Sequence, residues 1–324
     1  MSSQVTDFKF LAVIFDDAST DGTREIINEY LEEHFVVDNN NANDETDDAV
    51  VLLRQHKKNV NFFLAVVYLK YNFYQIKKSK VPIVSEWMDK ANYWAMCECD
   101  DYWIYDNKLQ EEVDFLDQNP DYGLVYTDYD IHQYETGEYI HAAFENGIKP
   151  IITSFEQHLV NAAYIAPMSW VCRIPFGELM NGYHGPESID MSFILALEAF
   201  LHSKVYYMDK VTCVYGKHKG SATKQTSIAK QYSFAHGAYS TQKYYFDKFN
   251  LRDKYPTGLD YFLNAYYCYI IANQIEEDYP EILAFFQRKG KSSFKFRLFG
   301  IMMKSKLAMP LLKAICRYRI NSSN

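Results

Sequence analysis

The chain has 324 residues and a mass of 38.0 kDa, of which 48% are apolar and 23% charged, which suits a folded protein with a sizeable core and excludes a disordered linker. Its 33 Lys and Arg against 42 Asp and Glu leave a formal net charge of −9, which argues against a general nucleic-acid binder. The charge is unevenly placed: no acid follows Glu281, and ten Lys or Arg fall between Arg288 and Arg319.

Met1 to Phe8 lacks the apolar stretch of a signal peptide, and no apolar run is long enough to cross a membrane as a helix. The first structural signal is Phe10 to Phe15 (FLAVIF), a continuous apolar run suited to a strand buried on both faces. It stops at Asp16-Asp17 and enters Ala18-Ser19-Thr20-Asp21-Gly22-Thr23, rich in turn and capping residues. A helix follows, with Ile26, Ile27, Tyr30 and Leu31 at helical spacing, so this opening is a βα unit. Residues 38–48 read as an exposed acidic loop, and the apolar, aromatic residues 60–76 as a helix, with a strand not excluded by periodicity alone.

Asn92 to Cys97 reads as a second strand, followed by Glu98-Cys99-Asp100-Asp101-Tyr102-Trp103. A helix is expected from about Asp106 to Gln118, with Leu109, Val113 and Leu116 on one face and Asn119-Pro120 as its stop. Gly123 to Thr127 and Tyr164 to Arg173 read as strands, and Ile189 to His202 as a helix with Asp190 in its first turn. Val205 to Met208 and Val211 to Tyr215 read as two short strands around Asp209-Lys210, and the chain is helical from about Ser227. The six cysteines are scattered apart from Cys97-x-Cys99, which lacks zinc-knuckle spacing, so reduced thiols in a cytoplasmic protein are expected.

Two buried strands thus end in paired acids, Asp16-Asp17 and Asp100-Asp101, the second preceded by Glu98. Ligands of open α/β sheets bind beyond the carboxyl ends of the strands. Parallel strands would gather these carboxylates at one edge, where they repel one another unless a cation sits among them. Oxygen ligands suit Mg²⁺ or Mn²⁺, commonly together with substrate phosphates. The competing reading is that the acids only cap helices and face water. No glycine-rich phosphate loop is present, so a diphosphate would depend on the metal.

Asp16-Asp17-Ala18-Ser19-Thr20-Asp21-Gly22-Thr23 resembles the DDxSxDGT signature of family 2 glycosyltransferases with the GT-A fold. Glu98-Cys99-Asp100-Asp101-Tyr102-Trp103, with Lys108-Leu109-Gln110 and Val113-Asp114-Phe115-Leu116, resembles that family's second motif, with Cys99 where a glycine is usual. Asp209-Lys210-Val211 and Tyr215-Gly216-Lys217-His218-Lys219-Gly220 are similar to its later strand pair ending in Y-R-x-H-x-G. The resemblance spans roughly residues 8–225. It implies a GT-A (Rossmann-like) α/β fold with a mixed, mostly parallel sheet flanked by helices over residues 1–225, and a helical, basic extension over residues 226–324.

The resemblance further implies a metal-dependent, inverting transferase that takes a UDP-linked or other nucleotide-sugar donor and a saccharide or lipid-linked acceptor. Asp100 and Glu98 would hold Mg²⁺ or Mn²⁺. Asp16, Asp17, Asp101 and His218 would bind the donor, and Asp190 would act as catalytic base. Helix capping is the alternative for Asp190, and a plain polar-loop histidine the alternative for His218. The sequence departs from the family in two places. Nothing before Phe10 resembles the family's P-T-Y-N-like opening turn, for which Asn61 to Tyr74 is one conceivable substitute. Gly216 stands where an arginine is usual, and Lys217 cannot reproduce that planar fork. A non-catalytic GT-A-like protein that binds saccharide or a partner is therefore the alternative, with a nucleotidyltransferase behind it.

Phe294 to Arg319 interleaves basic and apolar residues and is broken at Pro310. It reads either as an interfacial segment held peripherally on the inner face of the cell membrane, or as a tail packed on the acidic body.

Overall fold

The computed structural model of the chain describes residues 1–36, 43–161, 165–186, 191–218 and 228–322. The fold is α/β, with mixed β-sheets flanked by helices and a wholly helical C-terminal part among the described residues.

Strand β1 (Phe10–Asp16) is followed by helix α1 (Thr23–His34), and the turn between them needs Gly22, whose φ of 89° disfavours other residues. Asp21 accepts from the Thr23 N–H at 3.2 Å and from its hydroxyl at 2.6 Å, which fixes the turn that leads into the helix. Next come β2 (Asn43–Glu45), β3 (Ala49–Gln55) and β4 (Phe62–Leu69). The strand order is β1-β4-β3-β2, with β1 parallel to β4 and the other two pairings antiparallel.

Residues 60–76 are therefore not a helix but largely a strand. FFLAVVYL is an unbroken apolar run, and it is buried on both faces between β1 and β3. The strand β3 has no counterpart in the sequence reading. FLAVIF, expected to be deeply buried, is a half-buried strand at the end of its sheet. Its Phe10, Ala12 and Ile14 pack with Leu31 of α1 on one face, and its Val13 and Phe15 lie with Ile83 and Trp87 on the other.

Helix α2 (Val81–Lys90) leads to β5 (Trp94–Ala95), β6 (Tyr102–Trp103), α3 (Lys108–Gln118), β7 (Tyr122–Gln133) and β8 (Glu138–Ile140). After α4 (Phe155–Asn161) come β9 (Trp170–Cys172), α5 (Phe176–Gly182), α6 (Met191–His202) and β10 (Lys204–Lys217). The second sheet runs β5-β9-β7-β10-β6, with β8 paired to β7. Its long central pair, β7 and β10, is parallel from Tyr122↔Lys204 to Gln133↔Lys217. A register shift between Met208 and Val211 explains why Asp209-Lys210 reads in sequence as a break between two strands. The two sheets are joined through side chains: Phe8 and Phe10 cluster with Tyr93, Ala95 and the apolar face of α3.

The remaining helices are α7 (Ile228–Lys248), α8 (Asp260–Asn273), α9 (Tyr279–Lys289), α10 (Phe294–Lys304) and α11 (Met309–Ser322). Their core is aromatic: Tyr239, Tyr245, Phe246, Tyr266, Phe285 and Phe286 are almost fully enclosed, together with Leu159 of α4 and Leu197 of α6. Each such side chain contributes about 1.5–3 kcal/mol by leaving water, so much of the high aromatic content is core.

Candidate metal and donor site

The β5–β6 connection carries the second acidic motif, and its place is set by backbone pairing. β6 lies antiparallel to β10 through Tyr102↔Val214 and Trp103↔Cys213, so the residues just before β6 lie against the last residues of β10. The Asp101 N–H closes a turn on the Glu98 carbonyl at 3.0 Å. Ligand atoms of Glu98, Asp100 and Asp101 consequently lie within 4.8 Å of one another, with Glu98 exposed, Asp100 half-buried and Asp101 buried.

Asp101 is the informative member. Its Oδ1 accepts from the Gly216 N–H at 2.8 Å, while its Oδ2 is buried without a hydrogen-bond partner among the described residues. Burial, and then the charges of Asp100 and Glu98, push its carboxyl up to about 7 against the pull of the Gly216 N–H. A buried carboxylate oxygen with no donor among the described residues, beside two more carboxylates, suits a hard cation as a ligand. Asp100 Oδ2 lies 3.0 Å from His218 Nε2, and the Asp100 carbonyl accepts from the Tyr134 hydroxyl at 3.2 Å. Cys97 is not suited to join as a thiolate, since burial pushes its thiol up to about 12 and it donates to the Asp101 carbonyl at 3.6 Å.

The structure does not bring the first acid pair into this cluster. Asp16 is buried and forms a salt bridge with Arg24, whose Nη2 also donates to the Leu69 carbonyl at 2.6 Å. Asp17 accepts from the N–H groups of Phe73 (2.6 Å) and Tyr74 (3.1 Å), and Lys80 Nζ lies 3.1 Å away. Both thus close the turns at the carboxyl ends of β1 and β4. The pooling of all these carboxylates at one edge, expected from parallel strands, fails because β1 and the β5–β6 loop belong to different sheets. Asp190 lies outside the described residues.

Several residues at the site had no sequence signal. Tyr102 and Tyr139 hydroxyls are 2.9 Å apart, and Tyr139 stacks on His132 with ring centroids 4.3 Å apart, which builds an aromatic wall beside Asp100. Lys149 is partly buried, and burial, then the charge of Lys217, push its ammonium down. Neither lysine has a salt-bridge partner among the described residues. Asp128 and Asp130 are buried acids nearby, but they are satisfied. Asp128 accepts from the Phe144 and Glu145 N–H groups at 2.9 and 3.0 Å, and Asp130 from the Ala142 N–H at 2.9 Å. Only knowledge that β7 and β10 are neighbours would have drawn these residues together.

Fold and site together define an α/β protein with a carboxylate cluster that could hold a cation, between a short edge strand and the end of a parallel pair. No protein-family model and no curated protein matches the sequence. Among solved structures the chain is similar to a mannosyltransferase of Pyrobaculum calidifontis in complex with GDP-Man and Mn²⁺, at 13% identity and a TM-score of 0.43, over 93% of this chain and 77% of that one.

Proposed function

We propose that the protein is a metal-dependent glycosyltransferase of the GT-A type, which moves a sugar from a nucleotide-sugar donor, UDP-linked by preference, to a saccharide or lipid-linked acceptor. The observation that carries this reading is the Glu98–Asp100–Asp101 cluster with its buried, donorless Asp101 oxygen. The motifs that resemble family 2 supply the choice of chemistry, and residues 1–225 are taken as the transferase domain with 226–324 as its helical extension.

In this reading Asp100 and Glu98 hold Mg²⁺ or Mn²⁺, and Asp101 is fixed beside them by Gly216. A divalent ion held by these carboxylates would supply positive charge to offset that on the departing diphosphate. His218, 3.0 Å from Asp100, orients that carboxylate and faces the same anion. Lys149 and Lys217 provide further positive charge near the strand ends, in place of the arginine absent at Gly216. Asp17, whose side chain keeps 20% exposure, meets the nucleoside, and Asp16 supports it indirectly by fixing Arg24. Asp190 is assigned as the base on the resemblance alone. It takes the acceptor hydroxyl proton as that oxygen bonds to the anomeric carbon and the bond from that carbon to the diphosphate oxygen breaks, which inverts the centre.

Calorimetric titration with UDP- and GDP-sugars, with and without Mn²⁺, tests the reading. A metal-dependent heat with one donor supports it. The absence of any such heat across the panel would favour the non-catalytic alternative, for which the edge position of β1 among the described strands is the specific observation.

A further inference from the structure

The basic C-terminal segment has two apolar faces, and only one of them is covered. On α10, Phe299 and Met302 are buried in the helical core with Phe286 and Tyr267. Phe294, Leu298 and Ile301 follow one another at i, i+4 and i+7, so they form a single stripe, and they are 76%, 42% and 62% exposed. Beyond the helix, Leu307 is 94% exposed and Leu311, at the start of α11, 60% exposed.

Charge borders this stripe. At about 100° per residue, Arg297 and Lys304 fall along one side of it, whereas Lys295 lies on the core side, its ammonium over the Tyr267, Phe296 and Phe299 rings. Lys291 precedes the helix, and Lys306 lies in the turn after it. No carboxylate follows Glu281, and Lys291, Lys304 and Lys306 have no carboxylate partner among the described residues. The tail packs on the body through its inner face, and at the end of α9 Asp260 pairs with Arg288 and lies 4.0 Å from Lys289. Neutralisation of the acidic body does not explain Lys291, Lys304 and Lys306.

We infer that the outer face of α10 and the α10–α11 turn lies on an anionic lipid bilayer, with Phe294, Leu298, Ile301 and Leu307 in the interface and the flanking lysines and Arg297 against the headgroups. Eleven residues cannot span a bilayer, and no described helix is long and apolar enough to do so, so the segment lies in the plane of the surface. A nucleic acid would leave the apolar stripe without a purpose. A second copy of the chain would set two basic faces against each other. A bilayer satisfies both the apolar stripe and its cationic borders. The inference does not depend on the carboxylate site.

The test is co-sedimentation of the full chain with phosphatidylcholine vesicles, with and without phosphatidylglycerol, in low and high salt. Binding is expected only with phosphatidylglycerol and is expected to weaken with salt. The K304Q/K306Q double variant should partition about thirtyfold less. The L298S/I301S variant should lose binding while circular dichroism stays unchanged, because both side chains are exposed. Equal partition on neutral and anionic vesicles, or none on either, would overturn the inference. So would an oligomer of the free protein that L298S/I301S dissociates, since the stripe would then be an interface between copies.

Discussion

Gly216 and the Asp100 carbonyl are in such close contact that a Cβ on residue 216 would sit 2.0 Å from that oxygen. The same glycine donates its N–H to Asp101 at 2.8 Å. The position at which the sequence departs from the resembled motif is therefore the one on which the acidic loop rests, and a side chain there is sterically excluded.

Gly216→Ala should displace the β5–β6 loop, at a stability cost of about 1–3 kcal/mol, and weaken Mn²⁺ binding about 10–100-fold. Gly216→Arg, which restores the resembled motif, should be worse, because the clash is with backbone. Metal titration and thermal melts of both variants check this. Unchanged affinity in Gly216→Ala would show that the loop yields freely.

Asp101→Asn removes a buried anion from beside Asp100 and Glu98. The metal-free variant should melt above the wild type, since like-charge repulsion and desolvation are both relieved. Saturating Mn²⁺ should stabilise the wild type by about 2.7 kcal/mol at a hundredfold excess over Kd and the variant much less. Melting curves with metal and with chelator distinguish these outcomes.

His158 of α4 is buried against Phe193 and Phe200, and neither ring nitrogen has a hydrogen-bond partner among the described residues. Burial pushes its imidazole down to about 3. The unfolded chain takes up the proton near pH 6.5 and the folded chain does not, so protonation favours unfolding. Stability should therefore fall below pH 6.5 by up to about 1.4 kcal/mol per unit, down to pH 3. His158→Leu should remove that portion of the pH dependence. Denaturant unfolding from pH 7.5 to 4.5 measures it, and parallel curves for the two proteins would refute the assignment.

Lys108 and Glu112 of α3 form a fully buried pair at 2.6 Å, with the ammonium 5.2 Å from the Trp103 ring centroid. Glu112→Ala would strand a buried ammonium and should cost about 3–5 kcal/mol, whereas replacing both partners with apolar residues should cost far less. Chemical denaturation of the single and double variants checks the difference.

The legibility of the sequence varied with how local the determinants are. The βα opening at FLAVIF-Asp16-Asp17 and the helix over Val113-Asp114-Phe115-Leu116 were readable, because a capping turn and an apolar face lie within a few residues. Residues 60–76 were misread because FFLAVVYL is apolar on every side, and periodicity cannot separate such a strand from a buried helix. The break at Asp209-Lys210 is a bulge, which looks like a turn until β7 is alongside. Within the site, the contiguous motif Glu98-x-Asp100-Asp101 was visible. The Gly216 contact, the Tyr102–Tyr139 pair and the nearness of Lys149 to Lys217 depend on strand neighbours far apart in sequence. Asp16 and Asp17 had the right chemistry, but sheet membership put them beside Arg24 and Lys80 instead.

The assignment of Glu98, Asp100 and Asp101 as a metal-dependent donor site is tested most directly by calorimetric titration of nucleotide-sugars into the wild type and Asp100→Ala. Binding of a donor to the wild type that requires Mn²⁺, and its loss in a normally folded Asp100→Ala, is the predicted result. Donor binding that is indifferent to Mn²⁺, or equal in the two proteins, would contradict it.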